Sequence, residues 1–390
     1  MKKIFRLAAV ALSFSLLLCA CKDSAADNEP TVNEPIDTQE EIDLNKQTKL
    51  NAISPTAYSR VTEIQLEPGT KISIIGRYTG DSFWSQVEAG AKEAIEDINN
   101  ELGYTGSDKI VLTYNGPSNR DNVDEQINIL DEELSRTPLA VGIAAIDTGA
   151  CTLQFDLAAE NNIPIITFDS GSEYQHVASH ISTDNLAAAS TAASKLAYAI
   201  EETGEVAIFV QDSLSMTASD RLQGFIDTLG QNFPNITIAN IYRLDEYKTM
   251  ANKIAIEKNS QLEDGAAPIE PASITQEDIV NWILEKNPNI KGIYATNLDT
   301  TQLVANVIAD SGRTDLKIVG FDGGQEQLKL LENGIVEGLI LQNPYGMGYA
   351  TVIAAARVNS ILGNDSYVDT GYVWVTKDNM NDTSIANMLY

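Results

Sequence analysis

Histidine and cysteine are scarce in this chain: 390 residues contain two of the first and three of the second. His176 and His180 do not stand at metal-ligand spacing from any cysteine, so no zinc site is expected. Two of the cysteines, Cys19 and Cys21, lie near the start, and Cys151 alone cannot close an internal disulfide. Cys151 follows Thr148-Gly149-Ala150 and is expected as a small core residue at a helix start, with no base placed to activate it. Positive charge is also short, with 26 Lys and Arg against 55 Asp and Glu, a formal net charge of −29. Such a surface repels nucleic acid and anionic headgroups and favours a neutral or cationic ligand. No apolar run reaches the roughly 20 residues that span a bilayer. A phosphate loop, a nucleophile elbow and a short fixed-period repeat are all missing, and no cofactor is expected.

What is present begins with Lys2, Lys3 and Arg6, an apolar stretch over 7–18, and Leu18-Cys19-Ala20-Cys21. This reads as a signal peptide over 1–20 ending in a lipobox, with Cys21 as the cleavage and lipidation site. The expected address is outside the cytoplasmic membrane of a bacterium, anchored to it through the lipid. Residues 21–69 are rich in Asp, Glu, Asn, Thr and Pro and are expected to form a disordered acidic tether.

From residue 71 short β-branched runs alternate with amphipathic stretches. Strands are predicted at 71–76, 109–115, 139–146 and 163–168, with helices at 83–99 and 120–136. The rhythm restarts with strands at 205–210, 236–243, 291–296, 317–321 and 337–341. This is the pattern of an α/β chain with two doubly wound, Rossmann-like parallel sheets. Residues 259–273 carry a glycine and two prolines without periodicity and read as an inserted surface loop.

In open α/β sheets, ligands bind beyond the carboxyl ends of the strands. The residues found there by this rule are Asp81, Phe83, Trp84, Asp169, Arg221, Asn297, Asp322 and Gln342. Aromatic rings with planar, multi-pronged hydrogen-bonding groups suit a small polyhydroxylated ring, whose C–H faces stack while its hydroxyls donate and accept. Each also has a plainer reading: Asp169 and Asp322 as helix caps, Phe83 and Trp84 as helix core, Arg221 in a surface pair.

At these residues the chain resembles the type I periplasmic sugar-binding family of ribose-, galactose- and xylose-binding proteins. The resemblance is carried by residues 162–169 (Asn-Ile-Pro-Ile-Ile-Thr-Phe-Asp), 179–185, 318–323 and 342–348 (Gln-Asn-Pro-Tyr-Gly-Met-Gly). It implies two lobes joined by a three-strand hinge, the first built from 70–182 and 343–371, the second from 183–342 and 372–380. It implies that Phe83 and Trp84 stack on the ligand, that Asp81, Asn297 and Gln342 are polar contacts, that Asp169 and Asp322 accept from hydroxyls, and that Arg221 donates. Tyr247 matches a second-lobe aromatic more loosely. Two departures stand out: Ser170 where ribose binders carry Arg, and Ala144 where they carry Asn.

The function expected is a lipid-anchored solute-binding protein of an ABC importer, a monomer that presents a small neutral sugar to permease subunits and breaks no bond. The alternative keeps the fold but makes the chain a sensor subunit for a signal molecule or nucleoside, feeding a membrane receptor. A glycosidase would need Asp169 and Asp322 as an acid/base pair, and nothing else in the chain favours it.

Overall fold

A computed structural model describes residues 38–361 and 363–390. The signal segment, the lipobox and Cys21 lie outside the described residues. In chain order the elements are α1 (Thr38–Asn51), β1 (Lys71–Ile75), α2 (Ser82–Leu102), β2 (Val111–Asn115), α3 (Val123–Ser135), β3 (Val141–Ile143), α4 (Thr152–Glu160), β4 (Ile165–Phe168) and β5 (Ser179–Ser182). Then follow α5 (Asn185–Ala199), β6 (Gly204–Val210), α6 (Met216–Asn232), β7 (Ile236–Arg243), α7 (Tyr247–Asn259), α8 (Gln276–Lys286), β8 (Ile290–Ala295), α9 (Leu298–Ser311) and β9 (Lys317–Phe321). The chain closes with α10 (Gln325–Glu332), β10 (Gly338–Gln342), α11 (Pro344–Ala356), β11 (Tyr367–Asp369), β12 (Tyr372–Val375) and α12 (Thr383–Ala386).

These strands form two six-stranded sheets, ordered β11-β5-β4-β3-β1-β2 and β12-β10-β9-β8-β6-β7. The two orders correspond strand for strand, so each lobe has the same winding. All pairings are parallel except that of β12 with β10. The central strands are apolar because helices cover both faces, which leaves β1, β4, β9 and β10 almost wholly buried. The chain passes between the lobes three times, after β5, after β10 and between β11 and β12.

The segment 342–348 has a mechanical reading. Asn343 caps α11 by accepting from Gly346 N at 2.9 Å, while its amide donates to Lys49 O and Thr370 O. Pro344 suits the first helical turn, where its missing N–H costs nothing. Gly348 and Gly90 let α11 and α2 meet backbone to backbone: a Cβ on Gly348 would lie 1.9 Å from Val87 O, and one on Gly90 would lie 1.9 Å from Tyr345 O. Neither carbonyl can swing aside as a side chain would. Gly348→Ala is therefore expected to lower the unfolding free energy by about 1–3 kcal/mol, seen as a lower urea midpoint at unchanged slope. An unchanged midpoint would mean the two helices separate without cost.

The expectation of a disordered tether through residue 69 is corrected for the part the structure describes. Leu50, Ile53, Tyr58 and Ile64 are buried in the first lobe's core. Lys46 Nζ bonds Glu93 and Asp97 of α2 at 2.5 and 3.0 Å. Ser54 exchanges two backbone hydrogen bonds with Asp369 of β11, at 2.8 and 2.9 Å. Average composition hides this, because a few well-spaced apolar side chains are enough to offset the ordering of a short segment already anchored by pairing. The segment between α7 and α8 is an exposed loop pinched at its base, where the Asn259 side chain bonds both backbone groups of Ile269 at 2.9 and 2.7 Å. Cys151 lies in the core at the start of α4, and burial pushes its thiol up to about 11.

Candidate functional site

Each sheet ends in the same device. Phe168 closes β4 and Phe321 closes β9, and each is followed by an aspartate in the left-handed region, Asp169 at φ 53° and Asp322 at φ 69°. Aspartate tolerates this conformation better than most residues. Both backbones are tied to the neighbouring strand, Asp169 N donating to Ile181 O at 2.9 Å and Asp322 N to Ile340 O at 2.8 Å. The turns aim two carboxylates from opposite lobes into one cleft.

That cleft holds a cavity of about 280 Å³, lined by all eight residues chosen from strand ends: Asp81, Phe83, Trp84, Asp169, Arg221, Asn297, Asp322 and Gln342. The volume lies just below the roughly 300–1,000 Å³ of sites for drug-sized ligands, so the space suits a smaller molecule. Phe83 and Trp84, on the first turn of α2, meet edge to face at 5.1 Å, and Trp84 packs on Phe168 in the same manner at 6.3 Å. They are both cavity wall and core, so the two readings of these rings hold together.

Arg221 enters from α6 and is only 2% exposed. Its Nε donates to Asn185 Oδ1, one terminal nitrogen to Thr296 O and the other to Gln342 Oε1, each at 2.8 Å. The guanidinium also lies over the Phe321 ring at 4.3 Å. Gln342 passes the connection on, its Nε2 donating to Asp322 Oδ1 at 2.7 Å, while Thr183 donates to its Oε1 at 3.1 Å. Asp322 Oδ2 accepts from Leu298 N at 2.9 Å. The surface-pair reading of Arg221 is thereby set aside: its partners are Asn185, a carbonyl and Gln342.

The N-cap positions fall elsewhere than on the two strand-end aspartates, although Asp322 accepts from the first N–H of α9. Asp81 caps α2, accepting from Trp84 N at 3.0 Å, and Asn297 caps α9, accepting from Thr300 N at 2.9 Å. Asp169 contrasts with all of these. Its side chain is 7% exposed, it faces the cavity, and among the described residues no donor hydrogen-bonds its carboxylate. Burial pushes it up to about 6, with Arg221 and Arg77 pulling it down and Asp322 and Asp212 adding to the rise.

Sequence reasoning passed over several residues of the cleft. Arg77 pairs with Asp121 at 3.0 Å and, across the cleft, with Asp212 at 3.2 Å. Burial opposes the charge of Arg77, but Asp212, Asp121 and Asp169 more than offset it and raise its pKa. Arg120 bridges Asp81 at 2.5 Å and Asp299 of the opposite lobe at 3.1 Å. Arg77 and Asp212 each stand two residues past a strand end, that of β1 and that of β6, and so lie within reach of the strand-end rule. Arg120 lies in the loop after β2, and only the fold brings it to Asp81. Tyr247 is absent from the cavity wall; its hydroxyl donates to Ile274 O at 2.5 Å and its ring packs on the second lobe's core.

The cavity wall thus carries seven aspartates and three arginines, with no cysteine, histidine or serine. Among the described residues no cluster of metal-ligating side chains forms and no helix is long and apolar enough to cross a membrane. The arrangement can exchange hydrogen bonds with a small molecule's hydroxyls and stack on its apolar face.

Two like-wound α/β lobes with a cavity between them, its wall rich in charged side chains, form an architecture suited to holding a small molecule in a cleft. The chain belongs to the periplasmic binding protein family: residues 72–360 match the family model described as a periplasmic binding protein domain. It is 24% identical over 282 residues to the xylitol-binding protein of Mycolicibacterium smegmatis, covering 71% of this chain and 72% of that one. It is 21% identical over 316 residues to the ribose import binding protein of Escherichia coli, covering 81% and 93%. Among solved structures it is similar to a carbohydrate transporter solute-binding protein from Agrobacterium radiobacter in complex with D-arabinose, with a TM-score of 0.68, 29% identity, and coverage of 82% of this chain and 99% of that one.

Proposed function

We propose that this chain is the extracytoplasmic receptor of an ABC importer, anchored through a lipid on Cys21, and that it captures one small neutral sugar or polyol in the cleft between its lobes. The observation that carries the reading is the Asp169 carboxylate, buried and without a donor, beside the Phe83–Trp84 wall. A buried acceptor left unmatched is costly, and a ligand hydroxyl supplies the missing donor. Phe83 and Trp84 stack on the ring; Asp81, Asn297, Asp322 and Gln342 are polar contacts, and Arg221 donates. The ligands in the relatives' names, ribose, xylitol and D-arabinose, are of the same chemical class. Binding draws the lobes together, and the paired form is what permease subunits recognise.

A thermal-shift panel of pentoses, hexoses, alditols and nucleosides tests this. A ligand at 100 times its dissociation constant is expected to stabilise the fold by about 2.7 kcal/mol, a rise of a few degrees in Tm. A response confined to nucleosides would overturn the sugar reading and favour the sensor alternative. The anchor is tested apart from the ligand: mass spectrometry of the mature chain is expected to begin at a diacylated Cys21, and an unmodified Cys21 would remove that part.

A further inference from the structure

Beyond β12 the chain doubles back toward the cleft. Met388 is buried in the second lobe's core, Leu389 packs beside it, and Asn387 Nδ2 donates to Thr48 Oγ1 of α1 at 3.3 Å. These anchors deliver the Tyr390 side chain to the seam between the lobes, where it packs against both cores. Its hydroxyl donates to Asp322 Oδ1 at 3.1 Å, and its ring stands edge-on to Phe83 at 6.0 Å with an interplanar angle of 75°. Asp322 and Phe83 both line the cavity, one from each lobe. Tyr390 and Thr48 lie outside the 72–360 match, whereas Asp322 and Phe83 lie within it.

We infer that Tyr390 is a positioning residue of the ligand site, which sets the hydrogen bonds Asp322 can offer to a ligand. The inference rests on the cleft being the ligand site, as proposed above. A carboxylate has about four lone-pair positions. Oδ1 accepts from Gln342 and Tyr390, and Oδ2 accepts from Leu298 N. One position on Oδ2 is left. Asp322 therefore takes a single ligand hydroxyl in one direction, whereas Asp169 takes donors on either oxygen. A phenol fixed in this way selects between sugars that differ only in where a hydroxyl points.

The test compares wild type with Tyr390→Phe, which keeps the ring and loses one oxygen, and with Tyr390→Ala. Amide hydrogen exchange in the ligand-free protein is the first readout. Tyr390→Phe is expected to speed exchange severalfold at 321–326 and to leave 82–87 unchanged; Tyr390→Ala is expected to speed both. Unchanged exchange at 321–326 in Tyr390→Phe overturns the inference, and this variant decides even if Tyr390→Ala fails to fold. Calorimetry with D-ribose, D-arabinose and xylitol is the second readout. Loss of one charge-assisted hydrogen bond is expected to shift affinity by roughly tenfold and to reorder the two epimeric pentoses. An equal change for all three probes marks a general structural role and overturns the inference. If none of the three binds wild type, only the pentose and pentitol form of the sugar reading fails, and the exchange result alone decides the role of Tyr390.

Discussion

Asp169→Asn is expected to weaken ligand binding by about 2–5 kcal/mol, some thirtyfold or more, while raising the melting temperature of the ligand-free protein. The two effects share one cause. Burial pushes the Asp169 carboxyl up to about 6 from 3.8, against the pull of Arg221 and Arg77. Between about pH 4 and pH 6 the folded chain holds a proton that the unfolded chain has released. Stability therefore falls as pH rises through that window and stays lower above it, by on the order of 2–3 kcal/mol at neutral pH. Asparagine keeps the shape and removes the charge, so the ligand-free fold recovers most of that loss. A ligand hydroxyl that donates to the carboxylate favours the ionised form, so wild-type affinity is expected to fall as pH drops below about 6, and the affinity of Asp169→Asn to be flat there. Titration calorimetry at pH 5 and pH 7.5, with melting curves of both proteins, measures all four quantities. A variant that binds as wild type does, or melts lower without ligand, would remove Asp169 as the principal acceptor.

The strand ends were legible because their signal is local. Lys71–Ile75, Ile236–Arg243 and Lys317–Phe321 are runs rich in β-branched residues, and their ends in the structure lie within a residue of those read from the sequence. Knowing where a parallel strand ends is almost the same as knowing what faces the cleft, which is why eight residues picked by that rule line one cavity. Some of the short strands escaped the rule. β5, β11 and β12 have three or four residues each; β3 and β4 are as short but sit inside the longer apolar runs 139–146 and 163–168, whereas only the resemblance pointed to the crossings that β5, β11 and β12 flank. Arg120 and Tyr390 escaped for a different reason. Arg120 reaches Asp81 across 39 positions and Tyr390 reaches Asp322 across 68, and neither contact leaves a trace in local composition. The plainer reading of Asp169 and Asp322 as caps stayed open for a related reason: an aspartate after a strand and an asparagine before a helix look alike until the backbone dihedrals separate them. Asp169 and Asp322 turn left-handed, while Asn297 is extended and caps α9.

Arg221→Met is expected to be the most destabilising change in the cleft, at about 3–5 kcal/mol. Methionine fills the space of the side-chain stem and can still pack on Phe321, so the loss is not a cavity. What is lost is three donors at once. Asn185 Oδ1, Thr296 O and Gln342 Oε1 all face the guanidinium from different elements, at the start of α5, the end of β8 and the end of β10. A buried acceptor without its donor costs more than the bond was worth, and Gln342 in turn fixes Asp322. Arg221 also holds down the cost of ionising Asp169, so its removal adds to the charge burden of the cleft. Lysine offers one point charge in place of a planar fork and cannot reach three acceptors in that geometry, so Arg221→Lys is expected to recover less than half of the loss. If the network acts as a unit, Arg221→Met combined with Asp169→Asn is more stable than the algebraic sum of the Arg221→Met loss and the Asp169→Asn gain, because the second change removes the carboxylate the first leaves uncompensated. Urea melts of the two single variants and the double variant give the coupling directly. Strict additivity would mean that Arg221 supports the second lobe alone and that the two sides of the cleft are electrostatically independent.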